Sequence, residues 1–353
     1  MRILLDCRTM MPQASSPSRS LDSVPAPGEL AALFKACGEP LRLEILRVLR
    51  GESFGVQELC TVFDVHQPTM SHHLKVLAKA GLVATRREGN SIFYRRHHQA
   101  PCQRWQGLWG ELLQAADDLP LPPPQRARVE QVYRDRAQSS RQFFEENSHR
   151  LAVQQELIAS HQEYATPVRD LLESTGLPGH RLALEIGPGE GAFLVELSRR
   201  FERVVAVDIS DAMLALARSR ALQLGLDNIE FLHGDSSAAL TSGLRADCIV
   251  LHMVLHHTPS PADMLADLAA MLLPGGSLFL SELCRHDQTW AREACGDIWL
   301  GFEPDDITRW AGDAGLETGR QLYFSQRNGF SVQIRQFLQP SPGAESGPGD
   351  GRR

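Results

Sequence analysis

Glu185-Ile186-Gly187-Pro188-Gly189-Glu190-Gly191 is a stretch whose residue types and spacing suit a bound ligand. Glycines let the backbone approach a molecule closely where a Cβ would clash. Asp208 follows Gly187 by 21 residues, about where an acid at a strand end accepts both hydroxyls of a ribose. Gly187, Gly189 and Ala192 satisfy a loose G-x-G-x-x-G/A nicotinamide pattern. Three details point elsewhere. Glu185 stands at a strand end, where a carboxylate can meet a cationic amino-acid group rather than a pyrophosphate. The glycines run G-x-G-x-G. His233-Gly234-Asp235-Ser236 then sets an acid where it can accept from an adenine amine.

A second group of residues suits a different partner. Gln67, Thr69, Ser71, His72 and Lys75 lie opposite the apolar stripe Met70, Leu74, Leu77 of a predicted helix. Such donors and acceptors can read base edges in the major groove. Arg86, Arg87 and Asn90 follow on a predicted hairpin and can reach phosphate or the minor groove. An ordinary solvated helix face is the alternative. The order of turn, helix and basic hairpin favours double-stranded DNA.

The elements that must position these groups are legible in turn. Gly28–Cys37, Pro40–Arg50 and Val56–Val62 read as helices, with a tight turn at Asp64-Val65-His66. Proline at 68 suits the first turn of the next helix. Strands at Leu82–Arg86 and Ser91–Arg95 flank Arg87-Glu88-Gly89-Asn90, a hairpin tip. Together they make an α+β winged helix-turn-helix. Further along, Arg181–Ile186, Ala192–Arg200 and Val204–Asp208 read as strand, helix and strand. That β-α-β unit implies a doubly wound, Rossmann-like α/β sheet. Strands at 229–232, 247–252 and 278–283 and helices at 212–222 and 261–272 extend it, and 317–324 with 330–337 form a closing edge hairpin.

The run SHHLKVLAKAGLV…RREGNSIFY closely resembles the ArsR-type winged-helix transcriptional repressors over about residues 28–118. That resemblance implies a homodimer on a palindromic operator. Trp105, Leu108, Trp109, Leu112, Leu113 and Ala116 form one apolar helical face that fits a dimer seam, with packing inside the same chain as the alternative. Many relatives bind metal through Cys-Val-Cys. Here Cys60 is followed by Val62 in place of the second thiolate, and His97, His98 and Cys102 match no ligand spacing. No metal ligands are therefore assigned, and a metal or metalloid sensor is the weakest reading.

The glycine loop, Asp208, Gly234-Asp235 and Leu273-Pro274-Gly275-Gly276 together resemble class I S-adenosylmethionine-dependent methyltransferases over about residues 160–338. The resemblance implies S-adenosylmethionine or S-adenosylhomocysteine as ligand. Glu185, Gly187, Gly189 and Gly191 would hold the methionine part, Asp208 the ribose, and Asp235 with Ser236 the adenine. In related small-molecule enzymes a stretch like Val254-Leu255-His256-His257 lies near the transferred methyl. His256 or His257 could serve as a base; packing under the cofactor and capping the next helix is the alternative. The chain has no Asn-Pro-Pro-Tyr of amino-DNA methyltransferases and no Pro-Cys nucleophile in this half, and its glycine loop lacks the cysteines of arsenite methyltransferases.

Composition fits a multidomain globular chain of 353 residues with 42% hydrophobic and 22% charged residues. Net charge is −7, yet residues 28–99 carry ten Lys/Arg against seven Asp/Glu, and all three lysines lie there. Residues 181–338 carry 13 Arg against 21 Asp/Glu. A mildly basic head on an acidic body suits DNA binding by the head alone. The seven scattered cysteines form no disulfide framework, which points to reduced thiols in the cytoplasm. No apolar run suggests a membrane span, and the first residues make a poor signal peptide.

The expected organisation is a disordered lead at 1–27, a winged-helix DNA-binding and dimerisation domain at 28–118, and a Pro-rich linker and helix at 119–160. A methyltransferase-like domain follows at 161–338, with a disordered tail at 339–353. The expected function is a ligand-responsive repressor. An active methyltransferase on a small-molecule acceptor, with an autoregulatory DNA-binding head, is the alternative.

Overall fold

The computed structural model describes residues 26–88 and 91–341. The chain divides into two compact units at Arg136/Ala137.

In the first unit, α1 (Pro27–Cys37), α2 (Pro40–Val48), β1 (Phe54–Gly55), α3 (Val56–Phe63) and α4 (Gln67–Lys79) precede a hairpin of β2 (Val83–Glu88) and β3 (Ser91–Arg96). The strands pair antiparallel in the order β1-β3-β2, with Phe54 opposite Tyr94 and Val83 opposite Arg96. Local chemistry sets these boundaries. The Glu39 carboxylate accepts from Arg42 N at the start of α2, and Glu58 reaches back to Gly55 N at 2.7 Å to start α3. Asp64 ends α3 in the left-handed region at φ 56°, a conformation aspartate tolerates, and so turns the chain into α4. Leu33, Ile45, Leu59, Met70, Leu74 and Leu77 meet in the core beneath it.

The dimer-seam expectation for α5 (Gln106–Asp117) is corrected in part. Trp109 is fully buried in this unit's own core, with Leu113 and Ala116, and its indole N–H donates to His97 O at 2.9 Å. Its polar handle is therefore satisfied within the fold. Leu108 stays 38% exposed. Arg96 on β3 forms a buried bidentate pair with Asp117 at 2.6 and 3.0 Å, fixing α5 to the hairpin. The proline run is not wholly an extended linker either. Pro123 and Pro124 open α6 (Pro123–Glu156), where their missing N–H groups cost nothing.

The unit boundary falls inside α6, within the stretch read as linker and helix. Val132 packs in the first unit's core, and Arg136 binds Glu58 at 2.6 and 2.8 Å and the Ser53 carbonyl at 3.0 Å.

The second unit begins with the rest of α6 and α7 (His161–Glu173) and then alternates: β4 (Leu182–Ile186), α8 (Leu194–Ser198), β5 (Arg203–Asp208), α9 (Asp211–Gln223), β6 (Ile229–His233), α10 (Ser236–Thr241), β7 (Ala246–His252), α11 (Pro261–Met271) and β8 (Leu272–Leu283). It closes with α12 (Trp290–Cys295), α13 (Pro304–Asp313), β9 (Glu317–Ser325) and β10 (Ser331–Leu338). The seven strands run β6-β5-β4-β7-β8-β10-β9, parallel except for β10, which pairs antiparallel to both neighbours. Strand order reverses between β4 and β7, and ligands of such sheets bind in the crevice at the carboxyl ends there.

Candidate functional site

That crevice is a cavity of about 620 Å³, within the ordinary range of small-molecule sites. Its wall includes the last residues of β4, β5 and β7, namely Ile186, Asp208 and His252.

Glu185 lines the cavity and is only 2% exposed, and its Oε2 has no hydrogen-bond partner. Burial pushes its carboxyl well above the usual glutamate range. A bare buried carboxylate of this kind is costly unless a cation or donor arrives. Gly187, Pro188, Gly189, Glu190 and Ala192 continue the wall. Gly187 has φ 64°, and a Cβ there would come within 2.4 Å of Val254 Cγ2, so only glycine lets the loop lie against the turn after β7. Gly191 is absent from the lining. A Cβ on it would meet Leu194 and Ala217 at 3.0–3.2 Å, which makes it a packing glycine.

Asp208 lines the cavity and accepts from Ser210 N at 2.9 Å; burial pushes its carboxyl up to about 6. Asp235 and Ser236 also reach the wall. Asp235 caps α10 by accepting from Ala238 N at 2.9 Å, and the Ser236 hydroxyl donates to Asp267 at 2.7 Å.

A group of aromatic and imidazole side chains outside the expected ligand contacts stands on the same wall; from the sequence, Tyr164 is expected only to pack onto this domain. His161 and Tyr164 come from α7, and His252 ends β7. The His252 ring lies 5.4 Å from Tyr164 and 4.6 Å from Phe193, and its Nδ1 is 3.0 Å from Ser281 Oγ. Burial, then the neighbouring His161, lowers His252 to about 3, so it is neutral. Aromatic faces beside a carboxylate suit a cationic ligand group.

The two candidate bases part company. His257 lines the cavity, buried against Phe144 with ring centroids 4.9 Å apart. His256 is not among the lining residues. Its Nδ1 lies 2.5 Å from Glu282 Oε1, which withdraws the ring from the pocket. Burial opposes its charge, but Glu282 and Asp297 raise it to about 9. Although no metal ligands were assigned from sequence, His256, His257 and Asp297 form a buried cluster of metal-ligating side chains.

In the first unit, Met70, Leu74 and Leu77 of α4 face the core. Gln67, Thr69, His72 and Lys75 are exposed and Ser71 is half-buried. Gln57 donates to Gln67 Oε1 at 3.0 Å and steadies the first turn. Arg86 is half-buried and Arg87 exposed on β2, while Asn90 lies outside the described residues. Cys60 packs partly buried against the core, where burial raises its thiol.

Comparison with known proteins agrees with this division. Residues 38–86 match the family model for a helix-turn-helix domain, and residues 183–276 match that for a methyltransferase domain. Ubiquinone biosynthesis O-methyltransferase of Coxiella burnetii is 28% identical over 146 residues, 38% of this chain and 62% of that protein. The protein of that name from Aromatoleum aromaticum is 27% identical, over 43% of this chain and 70% of its own. The chain thus spans about 62% of the length of the first curated relatives it matches. Magnesium protoporphyrin IX methyltransferase of Synechocystis, solved with bound S-adenosylhomocysteine, aligns at 21% identity and TM-score 0.47, covering 58% of this chain and 100% of that one. The chain thus carries a stretch similar to a helix-turn-helix domain and, further along, one similar to a methyltransferase domain.

Proposed function

We propose that this chain is a DNA-binding transcriptional regulator whose second unit binds S-adenosylmethionine or S-adenosylhomocysteine and whose operator affinity follows that occupancy. The observation that carries the reading is the unpartnered, buried Glu185 carboxylate on the cavity wall, in a chain that also presents the exposed polar face of α4. The residues fit the ligand. Glu185 would take the α-ammonium, the Gly187–Gly189 backbone the methionine part, Asp208 the ribose hydroxyls, and Asp235 with Ser236 the adenine edge. Bound there, S-adenosylmethionine would supply an electrophilic methyl group; the homocysteine form would supply none.

On the DNA side, Gln67, Thr69, Ser71, His72 and Lys75 would face base edges, and Arg86, Arg87 and Asn90 would hold the wing to the backbone. A homodimer on a palindromic operator is part of the reading; Phe34 and Leu108 remain 54% and 38% exposed in the first unit for such a seam. Coupling requires two states that the nucleoside and the operator prefer differently. Both units draw on α6, which places Val132 and Arg136 in the first and Ser140 and Phe144 on the cavity wall of the second. We place the protein in the cytoplasm, where DNA is reached and the six described free cysteines stay reduced. Among the described residues no helix is long and apolar enough to cross a membrane. Calorimetric titration with each nucleoside tests the pocket: micromolar binding that Glu185→Gln weakens supports it, and no binding of either would end it.

A second reading has its own support. His257 and Tyr164 line the cavity, and the curated relatives are named as O-methyltransferases. Methyl transfer from a sulfonium needs mainly alignment and exclusion of water. Transfer of labelled methyl to a small-molecule extract would favour this reading; a nucleoside-loaded protein with no turnover would oppose it.

A further inference from the structure

Two buried carboxylates flank the histidine pair, and they are treated very differently. Glu282 is saturated: it accepts from the His256 backbone N–H at 3.1 Å, from Leu283 N at 2.6 Å, and meets His256 Nδ1 at 2.5 Å. Asp297 is 3% exposed, and neither of its oxygens has a hydrogen-bond partner. It faces His256 Nε2 and His257 Nδ1, each 3.8 Å from Asp297 Oδ1. Those gaps are too long for charge-assisted hydrogen bonds, which close to about 2.7–2.9 Å. They leave space between the three side chains.

We propose that His256, His257 and Asp297 form a binding site for a divalent transition-metal ion of the Zn²⁺ type, with Glu282 as the group that orients His256. The three donor atoms lie within 4.8 Å of one another. An ion with bonds of about 2.0–2.1 Å draws its ligands to roughly 3.3–3.5 Å apart, a contraction from 3.8 Å for the two pairs that include Asp297 and from no more than 4.8 Å for the two imidazoles. A ligating histidine usually gives its other ring N–H to a carboxylate, which fixes the tautomer and strengthens the ligand. The Glu282–His256 contact has that form. His257 Nδ1 also lies 3.2 Å from the Gly296 carbonyl, a contact that the ion would replace.

Two imidazoles and one carboxylate favour Zn²⁺, Co²⁺, Ni²⁺ or Fe²⁺ over Mg²⁺. Asp297 already feels the charges of His256 and Arg292, but neither of its oxygens is hydrogen-bonded, and the ion would supply the direct ligation they lack. The site would pin the segment holding Asp297 to the turn after β7, a junction where Ile298 N and Trp299 N already donate to His256 O at 3.0 and 3.1 Å. Because His257 also lines the cavity, the ion would stiffen that wall.

The test uses the full-length chain, stripped with a chelator and dialysed against one equivalent of ZnCl2. We expect about one Zn²⁺ per chain by elemental analysis. Competition with a chromogenic chelator should show Asp297→Asn at least 100-fold weaker and Glu282→Gln about 10- to 100-fold weaker, with far-UV circular dichroism unchanged. Less than a tenth of an equivalent bound, or equal affinity in Asp297→Asn, overturns the proposal. If Asp297→Asn does not fold, Co²⁺ on the wild-type chain decides. Intense visible bands of a nitrogen- and oxygen-ligated ion support the site, and the spectrum of the aqueous ion overturns it.

Discussion

The polar face of α4 and the cavity at the end of β4 solve recognition in opposite ways. On α4, Gln67, Thr69, His72 and Lys75 stand in water, so each must be desolvated when DNA arrives, and specificity comes from many modest contacts. At the cavity, Glu185 and Asp208 are already desolvated, one without a partner at Oε2 and both shifted upward by burial. Their cost is met in folding, so a cationic nucleoside gains more from each contact. One consequence is that changes in the pocket should be large and few, while changes on the helix should be smaller and graded.

The largest effect expected is at Glu185. Glu185→Gln should weaken binding of both nucleosides about 10- to 100-fold, the worth of one hydrogen bond to a charged group, without altering operator affinity of the ligand-free chain. The same substitution should stabilise the ligand-free fold near neutral pH. A carboxyl raised by folding binds its proton more tightly folded than unfolded. Its contribution is therefore best below the ordinary glutamate range and is lost as pH rises through the folded value. Thermal melts from pH 4 to 8 should fall less steeply in the Gln variant; parallel curves would break the contrast with α4.

Next come the base-reading side chains. Gln67→Ala and Ser71→Ala should each cost about 5- to 10-fold on the operator, the low end for a base contact, and little on unrelated DNA. Arg87→Ala should weaken both alike and reduce the salt slope by about 1. Fluorescence anisotropy at several salt concentrations checks both. Equal losses on all sequences for Gln67→Ala would remove base reading from α4.

Asp208 gives an intermediate, pH-dependent effect. Its carboxyl sits at about 6, and ribose hydroxyls donate to the ionised form. S-adenosylhomocysteine affinity should rise with pH up to about 6 and flatten above it, falling roughly 10-fold from pH 7 to 5. Calorimetry with Asp208→Asn should show that slope abolished. The smallest change belongs to Ser236→Ala, since the hydroxyl already donates to Asp267; a few-fold loss at most is expected in the same titration.

What could be read from the sequence was what lies close together along it. The α4 stripe, the turn at Asp64 and the loop from Glu185 to Gly191 depend on short-range spacing, and the first unit's helices and both strands of the hairpin fall near the expected bounds. Legibility failed where sheet order brings distant residues together. His161 and Tyr164 reach the pocket from α7, and Asp297 comes from a segment after β8 that has no periodic pattern. Trp109 misled for another reason. An apolar helical face looks alike whether it meets a second chain or its own core, and here His97 and the core claim it. Gly191 shows the same ambiguity within a motif, because one glycine spacing serves both a ligand and the packing of α8 against α9.

One measurement bears most directly on the coupling of the two regions: anisotropy titration of the full-length chain on its own promoter, alone and with each nucleoside at saturation confirmed by calorimetry. We predict that at least one of them shifts operator affinity five-fold or more, a coupling of about 1 kcal/mol, and that Glu185→Gln abolishes the shift at the same concentration. Identical operator affinity with both nucleosides demonstrably bound would contradict the account.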